Sequence, residues 1–577
     1  MTLPMLLAIP LLTAIVVAVA PTRLSATLAT AGSLLAAIVA VLAAVQFPSW
    51  TSETFWPGET GPAVFSAAGV TLELGLDGVS MLMVLLTVLL VVISVIGSYT
   101  AITTRQREYY AWFMVLESCL LMAFMARDVV MFYIGYEFTL VPMFFLISIW
   151  GGPDRRPAAI KFFIFTFLAS VLMLAGLVYV ASRRAGDLGE WSFRIPDLVD
   201  FASTQLSSVE QFWVFLALMA AFAVKTPFFP VHSWLPLAHD QAPTAGSVIL
   251  AGALLKLGTY GAFRIGLPMA PLGGAELANF FAILAILGIV VAALICWVQT
   301  DVKKLVAYSS VSHMGMLMLG LFALNPIGVQ GSVLYFINHG LSTGALFLLI
   351  GMVYERYHTK DMDKLGGLGS AMPIWSVFMV FFVFSSVGLP GLNGFVGEVL
   401  CLWGAFTAEA DGVAGYPGVL GPWYALVAIV GLILGAMYLL RMLGKMVWGP
   451  VKLPEGGHDA STGLPKDLSP REIGLLLPLA VLCVFIGLYP KPLLESIDPA
   501  VRDVLSGYPE AVRTVLEATA EGDENLRLGA AETVETGKTA ATGEARLPSF
   551  AVDSDSGTTI GSASTTITTI VAGGSAE

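Results

Sequence analysis

The chain has 577 residues, 57% of them hydrophobic and only 12% charged, with a mean hydropathy of +0.82. A water-soluble globular chain is typically about a quarter charged, so a body this long with half that fraction lacks the polar surface to be soluble. The composition excludes a soluble enzyme and implies an all-α polytopic membrane protein.

Apolar runs of about 20 residues, enough to cross ~30 Å of hydrocarbon, are expected fourteen times: 3–20, 28–46, 78–102, 110–126, 129–150, 158–181, 209–226, 243–266, 276–298, 304–324, 327–353, 373–406, 420–446 and 471–489. The first carries no n-region charge and no small-residue cleavage site, unlike a removed signal peptide. Prolines interrupt the seventh and the twelfth, which are therefore read as discontinuous. The connections after odd-numbered helices hold fifteen Lys and Arg against five after even-numbered ones. The positive-inside bias then predicts cytoplasmic odd connections and both termini on the outer side.

Beyond 490 the apolar runs stop, and the tail holds 14 acidic against 6 basic residues. That accounts for most of the chain's net charge of −12. A short surface helix is expected around Pro499 to Glu517 and disorder after it. The organisation predicted is three N-terminal helices over 1–108, two five-helix units over 109–268 and 269–450, helix fourteen within 451–490, and the acidic tail over 491–577.

The two five-helix units rest on a faint repeat. Val224-Lys225-Thr226-Pro227 in helix seven and the run from Gly388-Leu389-Pro390 to Glu398 in helix twelve each set an ionisable residue beside a break, 173 residues apart. Paired broken helices in corresponding halves point to a transport site at mid-membrane and, here, to inverted repeats of helices 4–8 and 9–13.

Other chemistries fit poorly. Cys119, Cys296, Cys401 and Cys483 are far apart in apolar runs and form no metal or disulfide pattern. Gly537-Lys538-Thr539 lacks the earlier glycine of a phosphate loop, since that position is Glu532.

An ionisable group inside a span costs at least ~2.5 kcal/mol on insertion scales, so it persists where it is paired, hydrated or used. Glu117, Glu137, Lys225, Lys256 and Glu398 are such groups, and His313 and His339 add two that titrate near neutrality. Glu117 reads equally well as helix packing. Glu137 is too central to snorkel, Lys225 precedes a proline break, and Glu398 follows a glycine-rich one. Lys256 stands in Gly252-Ala253-Leu254-Leu255-Lys256-Leu257-Gly258, with no break foreseen nearby. A lone histidine on an apolar face is often a satisfied core residue, and His232 and His239 read as hydrogen-bonders at the loop after helix seven. Burial drives carboxyl and amine groups alike toward their neutral forms, which makes such a set suitable for a proton relay. A Glu–Lys pair at ~4 Å interacts by roughly 4 kcal/mol, so opening or closing it moves a proton.

The stretches Tyr136-Glu137-Phe138-Thr139-Leu140-Val141-Pro142-Met143, Lys225-Thr226-Pro227, His232-Ser233-Trp234-Leu235-Pro236, Ala238-His239-Asp240-Gln241-Ala242-Pro243-Thr244, the run from Asp301 to Gly315, and Asn338-His339-Gly340 resemble the antiporter-like subunits of respiratory complex I, in order over about 75–450. Most members carry lysine where this chain has Glu398, whereas glutamate is similar to the M-type branch. Mrp-type cation/proton antiporters and energy-converting hydrogenases share the pattern, and Glu398 counts against the Mrp alternative. The resemblance implies proton translocation coupled to NADH oxidation and quinone reduction elsewhere in the complex. It implies a modulating pair of Glu137 and Lys225 with Glu117 as an alternative carboxylate, a central relay at Lys256, onward connection through His313, His339 and bound water, and termination at Glu398. It implies no cofactor on this chain, with FMN, iron–sulfur clusters and quinone on other subunits. The expected partners are L-type and N-type subunits and membrane lipid, with no nucleic acid, in a bacterial cytoplasmic membrane. The acidic tail departs from the family pattern and receives no role.

Overall fold

The computed structural model describes residues 2–47, 56–65, 69–413, 415–454, 458 and 464–520. It is a helical membrane body with twelve helices long and apolar enough to cross a bilayer among the described residues, and three shorter apolar ones. In chain order the helices are α1 (Thr2–Val19), α2 (Thr22–Gln46), α3 (Gly78–Ala101), α4 (Gln106–Met125), α5 (Val129–Trp150), α6 (Arg155–Leu188), a short α7 (Ile195–Gln205), α8 (Ser208–Lys225), a short α9 (Leu235–Gln241) and α10 (Thr244–Met269). They continue as α11 (Pro271–Val298), α12 (Val302–Phe322), α13 (Pro326–Tyr357), α14 (Pro373–Val387), α15 (Asn393–Phe406), α16 (Pro422–Met446), α17 (Pro470–Leu488) and α18 (Lys491–Val504).

Helix starts follow local chemistry. Asp77 with Ser80, Ser207 with Glu210 and Ser469 with Glu472 form reciprocal capping boxes on α3, α8 and α17, which satisfy amides that lipid could not. Asp128 and Asp301 cap α5 and α12 through two backbone amides each.

The middle of the body is α10 and α13, whose apolar windows are wholly buried, with α12 nearly so. Small residues permit this. Gly252 on α10 and Gly340 on α13 face each other so closely that a Cβ on Gly340 would lie 3.0 Å from the Gly252 carbonyl oxygen. By contrast α16 and α17 bury only a third of theirs and form the rim.

The membrane body is all-helical as expected, while three other expectations are corrected. Between α2 and α3 lies an antiparallel hairpin of β1 (Trp56–Phe65) and β2 (Val70–Leu76). Its Glu73 takes a bidentate ion pair from Arg194 (2.6 and 3.2 Å), and its Thr71 amide bonds the Asp128 carboxylate, pinning the hairpin over the α4–α5 turn. The alternation in Val70-Thr71-Leu72-Glu73-Leu74 carries that strand, but it adjoins a span.

First, the surface helix expected around Pro499 to Glu517 starts earlier, at Lys491. Helix α18 buries Ser496, Ile497, Ala500, Val501 and Val504, and it seats the Ser496 carbonyl where a Cβ on Gly78 would be. The helix begins eight residues before Pro499, and a further helix covers 508–520. The acidic segment beyond 520 lies outside the described residues. Residues 1–518 form one unit, and only the first two residues of the second, Thr519–Glu577, are described.

Secondly, α10 is interrupted on both sides of Lys256 by π-helical turns, Leu250–Leu254 and Ala262–Gly266. No proline marks them. Finally, the ring of His239 is not a loop hydrogen-bonder: both nitrogens are buried without hydrogen-bond partners among the described residues, and the ring stacks flat on Phe347 at 4.6 Å.

The two breaks read from proline lie where expected. Lys225 ends α8, and nine residues of turn separate it from α9. The break between α14 and α15 spans Gly388 to Leu392 and is fastened to α13: Asn338 donates to the Asn393 carbonyl (2.7 Å) and Asn393 returns a bond to the Asn338 carbonyl (3.2 Å).

Candidate functional site: two buried clusters in the membrane

The first cluster forms where α5 meets the end of α8. Pro142 cannot donate to the Phe138 carbonyl, and α5 yields at Thr139. Thr139 turns its hydroxyl onto the Tyr136 carbonyl (2.7 Å) and accepts a bond from Lys225 Nζ at 3.2 Å. The fully buried Lys225 ammonium also lies 4.4 Å from the centre of the Tyr136 ring. Glu137 is half-buried one residue on, with Oε1 unpartnered among the described residues. Lys225 and Glu137 feel each other electrostatically but are not in ion-pair contact, so this structure holds the pair open.

The second cluster is a row. Lys256 Nζ donates to the Ala251 carbonyl within the first π turn and lies 2.6 Å from His339 Nδ1. A charged lysine there requires the neutral imidazole that carries its hydrogen on Nε2, so the pair shares one transferable proton. The His339 and His313 rings follow at 5.8 Å between centres. His313 Nδ1 meets Tyr335 Oη at 2.7 Å, and Tyr335 Oη meets Glu398 Oε1 at 2.5 Å. Direct approach of His313 Nδ1 to Glu398 Oε1 is longer, at 3.6 Å.

One hydroxyl hydrogen cannot serve both neighbours of Tyr335. With Glu398 ionised, Tyr335 donates to the carboxylate and accepts from His313 Nδ1–H, which leaves Nε2 as the proton-accepting nitrogen. With Glu398 protonated, every bond in the triad reverses. Passing a proton through His313 is therefore coupled to the charge of Glu398.

Gly388 makes room for that carboxylate. Its φ is +80°, and a Cβ there would stand 2.2 Å from Glu398 Oε2. Both the left-handed backbone and the close approach demand glycine.

Between the clusters, α10 packs on the end of α8 at Gly258, where a Cβ would lie 2.4 Å from Thr226 Oγ1. Glu117 joins neither cluster: it is wholly buried in α4 with both carboxylate oxygens unpartnered among the described residues.

A third group of charges sits at the bundle end where α9, α12 and the α13–α14 connection meet. Asp240 pairs with Lys360 and, at 3.7 Å, with Lys304, while Lys303 Nζ reaches the Ala242 carbonyl at 2.6 Å. Burial of Asp240 favours the neutral acid, but the Lys360 hydrogen bond and charge, Gln241 and Lys304 outweigh it and hold the carboxyl below its ordinary range. His239, next in sequence, is held neutral, since burial and the charges of Lys303 and Lys256 push its pKa well down.

Residues 126–421 match the family described as NADH:quinone oxidoreductase/Mrp antiporter, TM. Subunit M of NADH-quinone oxidoreductase from Rhodobacter capsulatus is 41% identical over 456 residues, covering 78% of this chain and 85% of that protein. The chain belongs to the subunit M branch of this NADH:quinone oxidoreductase family. A chain of respiratory complex I from Thermus thermophilus superposes with a TM-score of 0.77 at 30% identity, over 88% of this chain and all of that one. The Mrp complex from Dietzia sp. contains a chain with the same fold, with a TM-score of 0.73 at 22% identity over 88% of this chain and 98% of that one.

For a subunit M relative, the sequence singled out Glu137, Lys225, Lys256, His313, His339 and Glu398, and the structure gathers them into the two clusters. It missed Tyr335, which joins His313 to Glu398. The available signal was spacing: Tyr335 precedes His339 by one helical turn on α13. It also missed Thr139, the hydroxyl that Lys225 binds.

Proposed function

We propose that the chain is a proton-translocating membrane subunit of an NADH-quinone oxidoreductase. Protons move along Glu137, Lys225, Lys256, His339, His313, Tyr335 and Glu398, driven by quinone reduction elsewhere in the complex. The observation that carries this reading is the line from Lys256 to Glu398 inside an apolar body: a 2.6 Å contact joins Lys256 to His339, contacts of 2.7 and 2.5 Å join His313, Tyr335 and Glu398, and the two runs face each other through histidine rings 5.8 Å apart. Such groups are costly at this depth unless they are used. Glu137 and Lys225 act as the modulating pair, and closing their contact changes the proton affinity of the lysine. Glu117 serves as an alternative carboxylate.

The broken α14–α15 and the short α1 complete fourteen passes, arranged as two inverted five-helix units. Both termini lie on the outer side of a bacterial cytoplasmic membrane, and the Asp240, Lys303, Lys304 and Lys360 group faces the cytoplasm. L-type and N-type antiporter-like subunits flank the chain, lipid covers the remainder, and FMN, iron–sulfur clusters and quinone belong to other subunits. A cation/proton antiporter of Mrp type shares the fold, and Glu398 in place of lysine weighs against it.

Glu137→Ala and Lys225→Ala test the reading. Each is expected to abolish proton pumping in inverted vesicles and to reduce coupled quinone reductase activity strongly while the complex still assembles. Normal pumping in either variant would overturn the assigned roles.

A further inference from the structure

Beyond the row, the face of His313 turned away from Tyr335 opens on a small chamber of about 20 Å³, walled by α11, α12, the end of α14, α15 and α16. Three of its lining residues present polar atoms with no hydrogen-bond partner among the described residues: His313 Nε2, Ser386 Oγ and Tyr438 Oη. Ser386 and Tyr438 are 6% and 0% exposed. The Ser309 hydroxyl near Tyr438 gives its hydrogen to the Val306 carbonyl at 2.7 Å, so toward Tyr438 Oη it can only accept, and the acceptor side of that oxygen stays open. A buried polar atom left unpaired costs about 1–3 kcal/mol, so three converging on one space are a strong demand for a shared partner. A chamber of this size exceeds the roughly 10–15 Å³ needed for one water, and a water makes two to four such bonds.

The space is kept by two glycines on α16. A Cβ on Gly431 would fall 2.0 Å from Ile289 Cγ2, so Gly431 lets α16 close on α11. A Cβ on Gly435 would meet nothing nearer than Tyr438 Oη at 4.0 Å, so Gly435 faces the open chamber itself.

We propose that this chamber binds one water, held by Ser386 and Tyr438, that exchanges the transported proton with His313 Nε2, and that Gly435 is the positioning residue that reserves its place. The inference rests on the relay reading above. It gives His313 a second port, distinct from the Tyr335 side. When protonated Glu398 discharges, its proton passes to Tyr335 Oη, the Tyr335 hydrogen passes to His313 Nδ1, and the Nε2 hydrogen passes to the water. Glu398 ends as carboxylate, His313 ends neutral with its hydrogen on Nδ1, and the hydronium carries the transported proton away. The same steps run backward load Glu398. No oxidant or reductant is involved.

The test uses the assembled complex. A density map that resolves ordered water is expected to show one water within about 2.7–3.2 Å of His313 Nε2 and of at least one of the two hydroxyls. In Gly435→Val that water is expected to be gone and the pumping rate in proteoliposomes lowered by on the order of 10²-fold, as for loss of a positioned proton-transfer partner. Ser386→Ala and Tyr438→Phe keep the packing and remove hydroxyls. They should change the pH profile of pumping, with Ser386→Thr restoring it, whereas a merely structural defect would lower activity at every pH alike. These two variants carry the test should Gly435→Val fail to assemble. A dry chamber in a map that shows waters elsewhere, or wild-type pumping and pH profile in Ser386→Ala and Tyr438→Phe, overturns the proposal. Wild-type pumping in His313→Ala would instead overturn the relay reading beneath it.

Discussion

Replacing Tyr335 with phenylalanine removes a single oxygen and interrupts the row at its tightest point. The ring fits its slot, with Cδ2 and Cβ packed 2.9 and 3.1 Å from where a Cβ of Gly397 would be, so Tyr335→Phe should preserve α13 against α15. The hydroxyl bridges His313 Nδ1 at 2.7 Å and Glu398 Oε1 at 2.5 Å. A hydrogen bond to a charged group is worth about 1.5–3 kcal/mol. At about 1.4 kcal/mol per tenfold, losing it from the transfer path slows proton movement between His313 and Glu398 by roughly 10- to 150-fold. What remains is the 3.6 Å separation of Nδ1 and Oε1, too long for direct transfer without motion. The assay is proton uptake per electron in proteoliposomes, read against NADH-driven quinone reduction in the same preparation. The reasoning predicts an assembled complex with a depressed pumping rate and a lowered proton-to-electron ratio. Wild-type rate and ratio in Tyr335→Phe would refute the hydroxyl bridge as a path.

Three further outcomes follow from the same geometry. Gly388→Ala introduces a side chain at φ +80° and 2.2 Å from Glu398 Oε2, so it should cost at least about 1–2 kcal/mol from the backbone alone and displace the carboxylate; thermal unfolding and pumping should both fall, and an unchanged unfolding temperature would contradict this. Glu398→Lys should retain more pumping than Glu398→Ala if the end of the row needs a titratable group, and equal damage would mean that the carboxylate itself is required. Asp240 is held below its ordinary range, so its pairing stabilises the α9 end at neutral pH and is lost as pH falls through the depressed folded value, below about 4; amide protection over 235–243, taken relative to the intrinsic exchange rate at each pH, should fall on such acidification in the native chain, and Asp240→Asn should be less protected already at pH 7 and respond less.

The membrane body was legible because hydropathy is a property of long windows, and no tertiary contact is needed to see a run such as 78–102. The breaks at Lys225 and Gly388 were legible because proline and glycine act on the backbone locally. The π turns flanking Lys256 carried no such mark: Gly252 and Gly258 look like packing residues, and their close neighbours on α3, α13 and the end of α8 lie far away in sequence. Ionisable residues at depth announced themselves by cost, whereas Tyr335 did not, since a tyrosine in an apolar run is ordinary until its hydroxyl is found between His313 and Glu398. The hairpin was missed because its second strand adjoins a span. His239 was read as a loop residue because its burial depends on Phe347, more than a hundred residues away.

The most direct test of a proton path through this chain is Lys256→Met, which keeps the volume of the buried side chain and removes its titratable group beside His339. Proton uptake by proteoliposomes containing the assembled variant complex should fall severely, with coupled quinone reduction reduced alongside it. Uptake at the wild-type rate and proton-to-electron ratio would contradict the account, because the row from Lys256 to Glu398 would then carry no transported proton.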